Sequence, residues 1–386
     1  MKITDIKTFV VDCYRTNWVF VKVYTDEGIT GLGEGTLEYK EKALTGAIEH
    51  VKEALVGKDP RDIEKHWHDI YRDAYWRGGP VLMSALSAVD MALWDILGKS
   101  LGVPVYQLLG GKVHDKVKIY VNGWFAGAKE PEEFAQKARE TVKRGIKAMK
   151  WDPFGKAYMT ISNADLHKAL RCVAAVRDAV GPDIDLLIEG HGRFNVPTSI
   201  QIAQELAVFK PMFFEEPVPP DNLDALLEVR LKSPVAISAG ERLYGRRSFK
   251  ELFEKRAADY IQPDISHAGG ISECRKIAAM AEAYYIPFAP HNPSGPVANA
   301  ATLQLAACTP NFHILEIMVS DVTWRKEICN EELKFADGFM EIPTKPGLGL
   351  ELNEEACLAH PYQVHTLRHY SGALTDIRPA QTENYF

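Results

Sequence analysis

Three glutamates, Glu189, Glu215 and Glu241, are separated by 26 residues and then by 26 again. Each closes a short apolar run: DLLIE (185–189), MFFE (212–215) and VAISAGE (235–241). That interval is one strand plus one helix of a repeating βα unit. It places each glutamate at the C-terminal end of a strand, the face on which such barrels carry their chemistry. Three converging carboxylates in a partly buried mouth are costly to leave uncompensated. A hard dication held by oxygen atoms resolves the conflict, and magnesium would find half of its octahedral shell here. For any one glutamate alone, a solvated surface acid is the plainer reading. Equal spacing in equal context counts against it for all three.

The elements that must position these groups follow from the rest of the chain. Its 386 residues are 46% hydrophobic and 25% charged, an ordinary globular composition. The formal net charge is −7 and no basic stripe stands out, which argues against a nucleic-acid partner. An anionic small substrate remains compatible, because a bound cation reverses the local field. Cys13, Cys172, Cys274, Cys308, Cys329 and Cys357 are scattered and read as buried thiols, not a disulfide framework. The charged start MKITDIK lacks the apolar stretch of a signal peptide. No 18-residue apolar run is evident, so no membrane span and a soluble cytoplasmic protein are expected.

Residues 1–115 read as an α+β capping domain. An antiparallel meander alternates apolar and polar residues over 3–25, turns at 26–28 and returns through 30–34; helical periods follow near 40–55, 60–75 and 80–100. The last helix is apolar nearly all round and should be buried. Over 116–340 the rhythm is strand and helix in alternation. Strands are expected at 117–122, 147–152, 185–189, 212–216, 235–240, 259–263, 286–290 and 313–317. Eight such units predict a (β/α)8 barrel; an open doubly wound sheet is the alternative, disfavoured because no Gly-rich fingerprint follows the first strand. The segment 341–386 lacks this rhythm and is expected to return to the capping domain.

In this arrangement seven consecutive strands end in ionisable residues: Lys150 and Asp152, Glu189 and His191, Glu215 and Glu216, Glu241 and Arg242, then Asp264, His291 and Glu316. Asp264 is a competing metal ligand, but it also suits His291 on the adjacent strand end. A carboxylate on one ring nitrogen fixes the tautomer and raises the basicity of the other. A histidine simply hydrogen-bonded in the barrel wall is the alternative for His291.

The layout resembles the enolase superfamily, mandelate racemase subgroup, over almost the whole chain. FEEP (214–217) and the His291–Asp264 pairing carry the resemblance. KWDPFG (150–155), EGHGRFN (189–195) and IQPDISHAGG (261–270) are most similar to acid-sugar dehydratases acting on gluconate or galactonate. The resemblance implies a modified TIM barrel with a cap completed by the C-terminal tail, and one Mg2+ per subunit on Glu189, Glu215 and Glu241. It implies Asp264–His291 as a general-base dyad, Glu316 as an acid near the substrate carboxylate, and a homo-oligomer such as a dimer or octamer. One departure matters. Much of the subgroup carries Lys-x-Lys after the second strand, whereas here Lys150 is followed by Asp152. Without a base on the second face, two-base racemisation is not expected. Lys150 would act electrostatically or form a salt bridge to Asp152 or a neighbouring carboxylate.

The expected reaction removes the C2 proton of an acid sugar with His291, the enediolate being stabilised by Mg2+. His191, two residues after Glu189, should reach the same mouth by strand alternation and protonate the departing 3-hydroxyl; a hydrogen-bonding support role is its alternative. A 2-keto-3-deoxy acid results. Glu316 would need to be protonated to bond the substrate carboxylate. Asp152, Arg193, Arg242, Trp18, Trp76 and Arg77, with Tyr75 and Trp324, are candidates for substrate contact or a closing lid, a domain interface being equally consistent. A cycloisomerase or epimerase on the same scaffold, and a metal-binding protein without catalysis, are the competing functions.

Overall fold

The computed structural model describes residues 1–73, 75–319, 322–330 and 333–367. Three antiparallel strands, β1 (Ile3–Asp12), β2 (Asn17–Thr25) and β3 (Thr30–Glu34), form the cap sheet in the order β1-β2-β3. The stretch 3–25 is thus two strands, not one. Its turn has Tyr14 in the left-handed region at φ 67° and closes by a bond from Cys13 N–H to Thr16 O. No Gly or Pro marks that turn, so the sequence gives no punctuation there. Three helices cover the sheet: α1 (Glu41–Leu55), α2 (Ile63–Asp73) and α3 (Pro80–Leu101). By length and composition α3 could cross a membrane, but most of it is buried within this fold.

A short helix, α4 (Val105–Leu108), leads to the barrel. Its parallel strands are β4 (Lys116–Asn122), β5 (Ala148–Trp151), β6 (Asp185–Glu189), β7 (Phe213–Glu215), β8 (Ile237–Ala239) and β9 (Tyr260–Ile261), paired in that order, with β10 (Leu315–Met318) pairing back onto β4. The seventh expected strand, 286–290, is reduced to bridges from Phe288 to Ile261 and to Phe312. These bridges carry the pairing from β9 round towards β10. Between the strands lie α5 (Pro131–Lys143), α6 (Asn163–Val180), α7 (Val196–Leu206), α8 (Leu223–Lys232), α9 (Gly245–Lys255), α10 (Gly270–Ala283) and α11 (Pro296–Ala307). Local chemistry sets several starts: Ser162, Asn195 and Asn222 each accept a backbone N–H at the helix N-terminus they cap.

Strand alternation separates two layers inside the barrel. Tyr120, Ala148, Leu187, Phe213 and Ile314 point inward and pack as one buried apolar cluster. Two residues further along the same strands stand Asn122, Lys150, Glu189, Glu215 and Glu316. The apolar layer is the floor and the polar layer the base of the mouth.

The cap docks through α3, whose face towards the barrel is polar at helical spacing. Ser84 meets His267 at 2.8 Å, Ser87 Oγ accepts from Gly269 N–H at 2.9 Å, Asp90 accepts from Ser272 N–H at 3.0 Å and from its hydroxyl at 2.5 Å, and Trp94 donates to Ser272 Oγ at 2.8 Å. The buried Glu34 reaches across from β3 and accepts from Gly295 N–H at 2.6 Å and Ala298 N–H at 2.9 Å, capping α11 with negative charge. The tail as far as residue 367 returns to the cap, Pro361 bridging to Val11 and Glu354 pairing with Lys22, while 368–386 lie outside the described residues.

Burial pushes the Asp90 carboxyl up to about 7, although Ser272 and Lys276 pull it down. A pKa raised on folding stabilises the protein at pH below the unfolded value, and that contribution fades as pH rises through about 7. Between pH 4 and 7 Asp90 should therefore lower stability by at most about 1.4 kcal/mol per pH unit. Urea titrations across that range should show a correspondingly flatter pH dependence for Asp90→Asn than for wild type.

Candidate active site

The mouth of the barrel and the underside of the cap enclose a cavity of about 260 Å³. Carboxylate oxygens of Glu189, Glu215 and Glu241 lie within 4.8 Å of one another at its base. Glu189 and Glu215 end β6 and β7 directly opposite each other in register. Glu241 follows Gly240, whose φ of 136° turns the chain where a Cβ would meet the Phe249 ring at 2.9 Å. Glu215 Oε2 is buried with no hydrogen-bond partner among the described residues. Burial and mutual repulsion push the Glu215 and Glu241 carboxyls well above the usual range. An orphaned carboxylate oxygen facing two further carboxylates is the donor set of a hard cation.

Lys150, fully buried, lies beside this cluster, its Nζ 2.5 Å from Glu215, 3.1 Å from Glu189 and 3.2 Å from Glu316. Burial opposes its charge, yet Glu215, Glu316 and Glu189 hold the ammonium well above the usual lysine range. Its ion pairs are with these neighbouring carboxylates and not with Asp152. Glu316 also accepts from Asn122 at 3.0 Å. Burial alone would raise its pKa, but Lys150, His291 and Asn122 outweigh that and lower it.

Of the three imidazoles that line the cavity, those of His191 and His291 are each anchored through Nδ1 to a buried carboxylate. His291 Nδ1 is 2.7 Å from Asp264 Oδ2, while its Nε2 lies 3.4 Å from Glu241 and 3.8 Å from Glu316. Asp264 therefore serves His291 and stands apart from the three-glutamate group. His191 Nδ1 is 2.7 Å from Asp152 Oδ2. Strand alternation is not what brings His191 here. β6 ends at Glu189, and His191 lies in a turn at φ 51° held by its own N–H bonding Glu189 Oε1 at 2.6 Å. The next residue, Gly192, leaves room for Arg242, whose Nη2 would stand 2.0 Å from an added Cβ.

Arg193 is fully buried and bonds both oxygens of Asp152 at 2.6 Å, so it supports the site from behind. Asp152 and Arg242 do line the cavity, the latter paired with Glu216. The expected lid is corrected. Trp18 is 1% exposed and packs in the core beneath Arg325. Trp324 stacks on His360. Tyr75 is exposed, and Trp76 and Arg77 border a separate groove of the cap between α1 and α3. The cap residues that close the mouth are Arg15, Thr36, Leu37 and Glu38. Arg15 pairs with Glu38 and donates to Pro293 O at 3.2 Å, linking the β1–β2 turn to the barrel loop that carries His291. They were missed because the β1–β2 turn itself was not recognised. His267 carries no sequence signal of its own beyond lying three residues after Asp264 in IQPDISHAGG.

Comparison with known proteins agrees with this arrangement. Residues 4–110 match the mandelate racemase / muconate lactonizing enzyme N-terminal domain, and 133–356 match the enolase C-terminal domain-like family. A D-galactonate dehydratase of Variovorax paradoxus is 39% identical over 362 residues, 92% of this chain and 93% of its own. A D-gluconate dehydratase of Thermoproteus tenax is 37% identical over 338 residues, 87% of this chain and 68% of its own. Among solved structures, a mandelate racemase/muconate lactonizing enzyme from Sulfitobacter superposes with TM-score 0.89 at 33% identity, covering 95% of this chain and 97% of that one. A member of the enolase superfamily from Salmonella Typhimurium gives 0.88 at 32% identity, covering 93% and 98%.

Removing the Lys150 charge leaves three buried carboxylates without their common partner. Lys150→Met should destabilise the metal-free protein by about 3–5 kcal/mol, read from urea denaturation in chelator.

Proposed function

Because the chain belongs to the mandelate racemase / muconate lactonizing enzyme family of enolase-like proteins, we propose that it is a Mg2+-dependent dehydratase of an aldonic acid such as D-gluconate or D-galactonate. The observation that carries this reading is the pair of carboxylate-anchored histidines sharing one cavity with three converging glutamates. The names of the dehydratase relatives support it.

Glu189, Glu215 and Glu241 would hold the ion, and Mg2+, when bound, supplies positive charge against the negative charge that develops on the substrate carboxylate. His291 takes the C2 proton at Nε2, because Asp264 accepts at Nδ1 and leaves the Nε2 lone pair directed at the cavity. Lys150, fixed among Glu189, Glu215 and Glu316, keeps the base of the mouth from becoming overwhelmingly negative. His191 supplies the second proton. Asp152 stabilises its imidazolium, and Nε2–H is given to the 3-hydroxyl as the C3–O bond breaks and water leaves. The enol that remains takes a proton at C3 to become a 2-keto-3-deoxy acid. Asp152 stands where many relatives would place a second lysine base; here it orients an acid, which favours elimination over racemisation.

Incubation with Mg2+ and a panel of aldonic acids, followed by a 2-keto acid assay, should yield keto product from at least one acid. Isomerised lactone or C2 epimer without keto acid would sink the dehydratase reading in favour of a cycloisomerase or epimerase. His291→Asn should abolish both turnover and C2 exchange with solvent deuterium. His191→Asn should lower turnover by about 100-fold or more while exchange persists.

A separate measurement addresses the ion. Mg2+ at about 100 times its Kd should stabilise wild type by about 2.7 kcal/mol, seen as a rise in Tm. Glu215→Gln should largely lose that rise.

A further inference from the structure

Asp264 bonds one histidine and stands near a second. His291 occupies it at 2.7 Å, and His267 Nε2 stands 4.0 Å from the same Oδ2, beyond a hydrogen bond. His267 also lines the cavity, and neither the proton abstraction nor the proton donation uses it.

Its tautomer follows from the cap. Ser84 Oγ lies 2.6 Å from Pro80 O one helical turn earlier, and a carbonyl can only accept, so the hydroxyl proton is committed there. The same Oγ lies 2.8 Å from His267 Nδ1 and must therefore accept, which places the imidazole proton on Nδ1. Burial holds this histidine below the ordinary range, with Asp264 only partly opposing, so the ring is neutral near pH 7. The remaining nitrogen of this cavity-lining ring, Nε2, then carries a lone pair and no proton. A lone pair in that position takes a hydroxyl O–H, not an oxyanion.

We propose that His267 is a specificity-determining residue, held by Ser84 of the cap helix α3, whose Nε2 accepts a hydrogen bond from one hydroxyl of the substrate's carbon chain. The inference rests on the aldonic-acid reading above and names part of how that site tells a polyhydroxylated acid from a deoxygenated one. It makes the docking of α3 a determinant of substrate choice: the neighbouring contacts of Ser87, Asp90 and Trp94 hold the helix in the register that Ser84 needs.

The test compares kcat/KM, with Mg2+, for an aldonic acid and its congeners deoxygenated at single carbons beyond C3. Wild type should disfavour one congener by about 10-fold or more. His267→Leu should lose that preference at the one carbon and keep the preferences at the others, with the change mainly in KM. His267→Gln, which restores an acceptor, should recover part of it. Unchanged discrimination in His267→Leu, or an equal loss at every carbon, overturns the proposal while leaving the dehydratase reading intact. No turnover of any aldonic acid by wild type, and no shift in Tm with any of them in Mg2+, overturns both. A second readout is independent of activity. The 15N spectrum of wild type should show His267 protonated at Nδ1, and Ser84→Ala should move it to a tautomer mixture. A wild-type ring protonated at Nε2 also overturns the proposal.

Discussion

The molecule is organised around negative charge held out of water. Glu189, Glu215, Glu241, Glu316 and Asp264 converge on one barrel mouth, and four of them are nearly inaccessible to solvent. Carboxylates in such surroundings either take up protons or find compensating charge. Lys150 gives compensation on the barrel side. What it leaves over, concentrated on Glu215 and Glu241, is the part suited to a dication. The apolar layer of Tyr120, Leu187 and Phe213 beneath is what makes the arrangement expensive without compensation, because it excludes the water that would otherwise screen it.

The two histidine–carboxylate pairs look alike but their carboxylates are treated differently. Asp152 is gripped on both oxygens by the buried Arg193 and also meets His191 Nδ1 at 2.7 Å. Among the described residues no arginine bonds Asp264; it receives Ser266 N–H at 2.7 Å and His291, with His267 standing off.

The cap is part of this electrostatic design as well as a cover. Glu34 places an anion on the N-terminus of α11, Arg15 ties the first cap turn to the loop bearing His291, and α3 meets the loop after Asp264 through side chains one helical turn apart. Misplacing the cap would therefore disturb the ring that Ser84 holds and the loop that Arg15 holds, not simply open the mouth.

Periodic features were legible in the sequence by itself. The 26-residue interval of the glutamates, the βα rhythm from β4 onward and the all-round apolar character of α3 are repeats of local geometry, and local geometry is written in neighbouring residues. The three-carboxylate cluster and the His291–Asp264 pair follow from them, because a barrel brings all strand ends to one face. Tertiary structure decided what has no period. The turn at Tyr14 carries no Gly or Pro, so Arg15 could not be placed over the site. His191 reaches the cavity through a left-handed turn and not through alternation. Trp18, an aromatic near that turn, went to the core because β2 is covered on the face it occupies. Ser84, Ser87 and Asp90 read as ordinary residues of an apolar helix until the barrel loop they bond is laid against them. Contacts between segments nearly 200 residues apart depend on how two domains dock, and docking is settled by packed surfaces that no single stretch of chain contains.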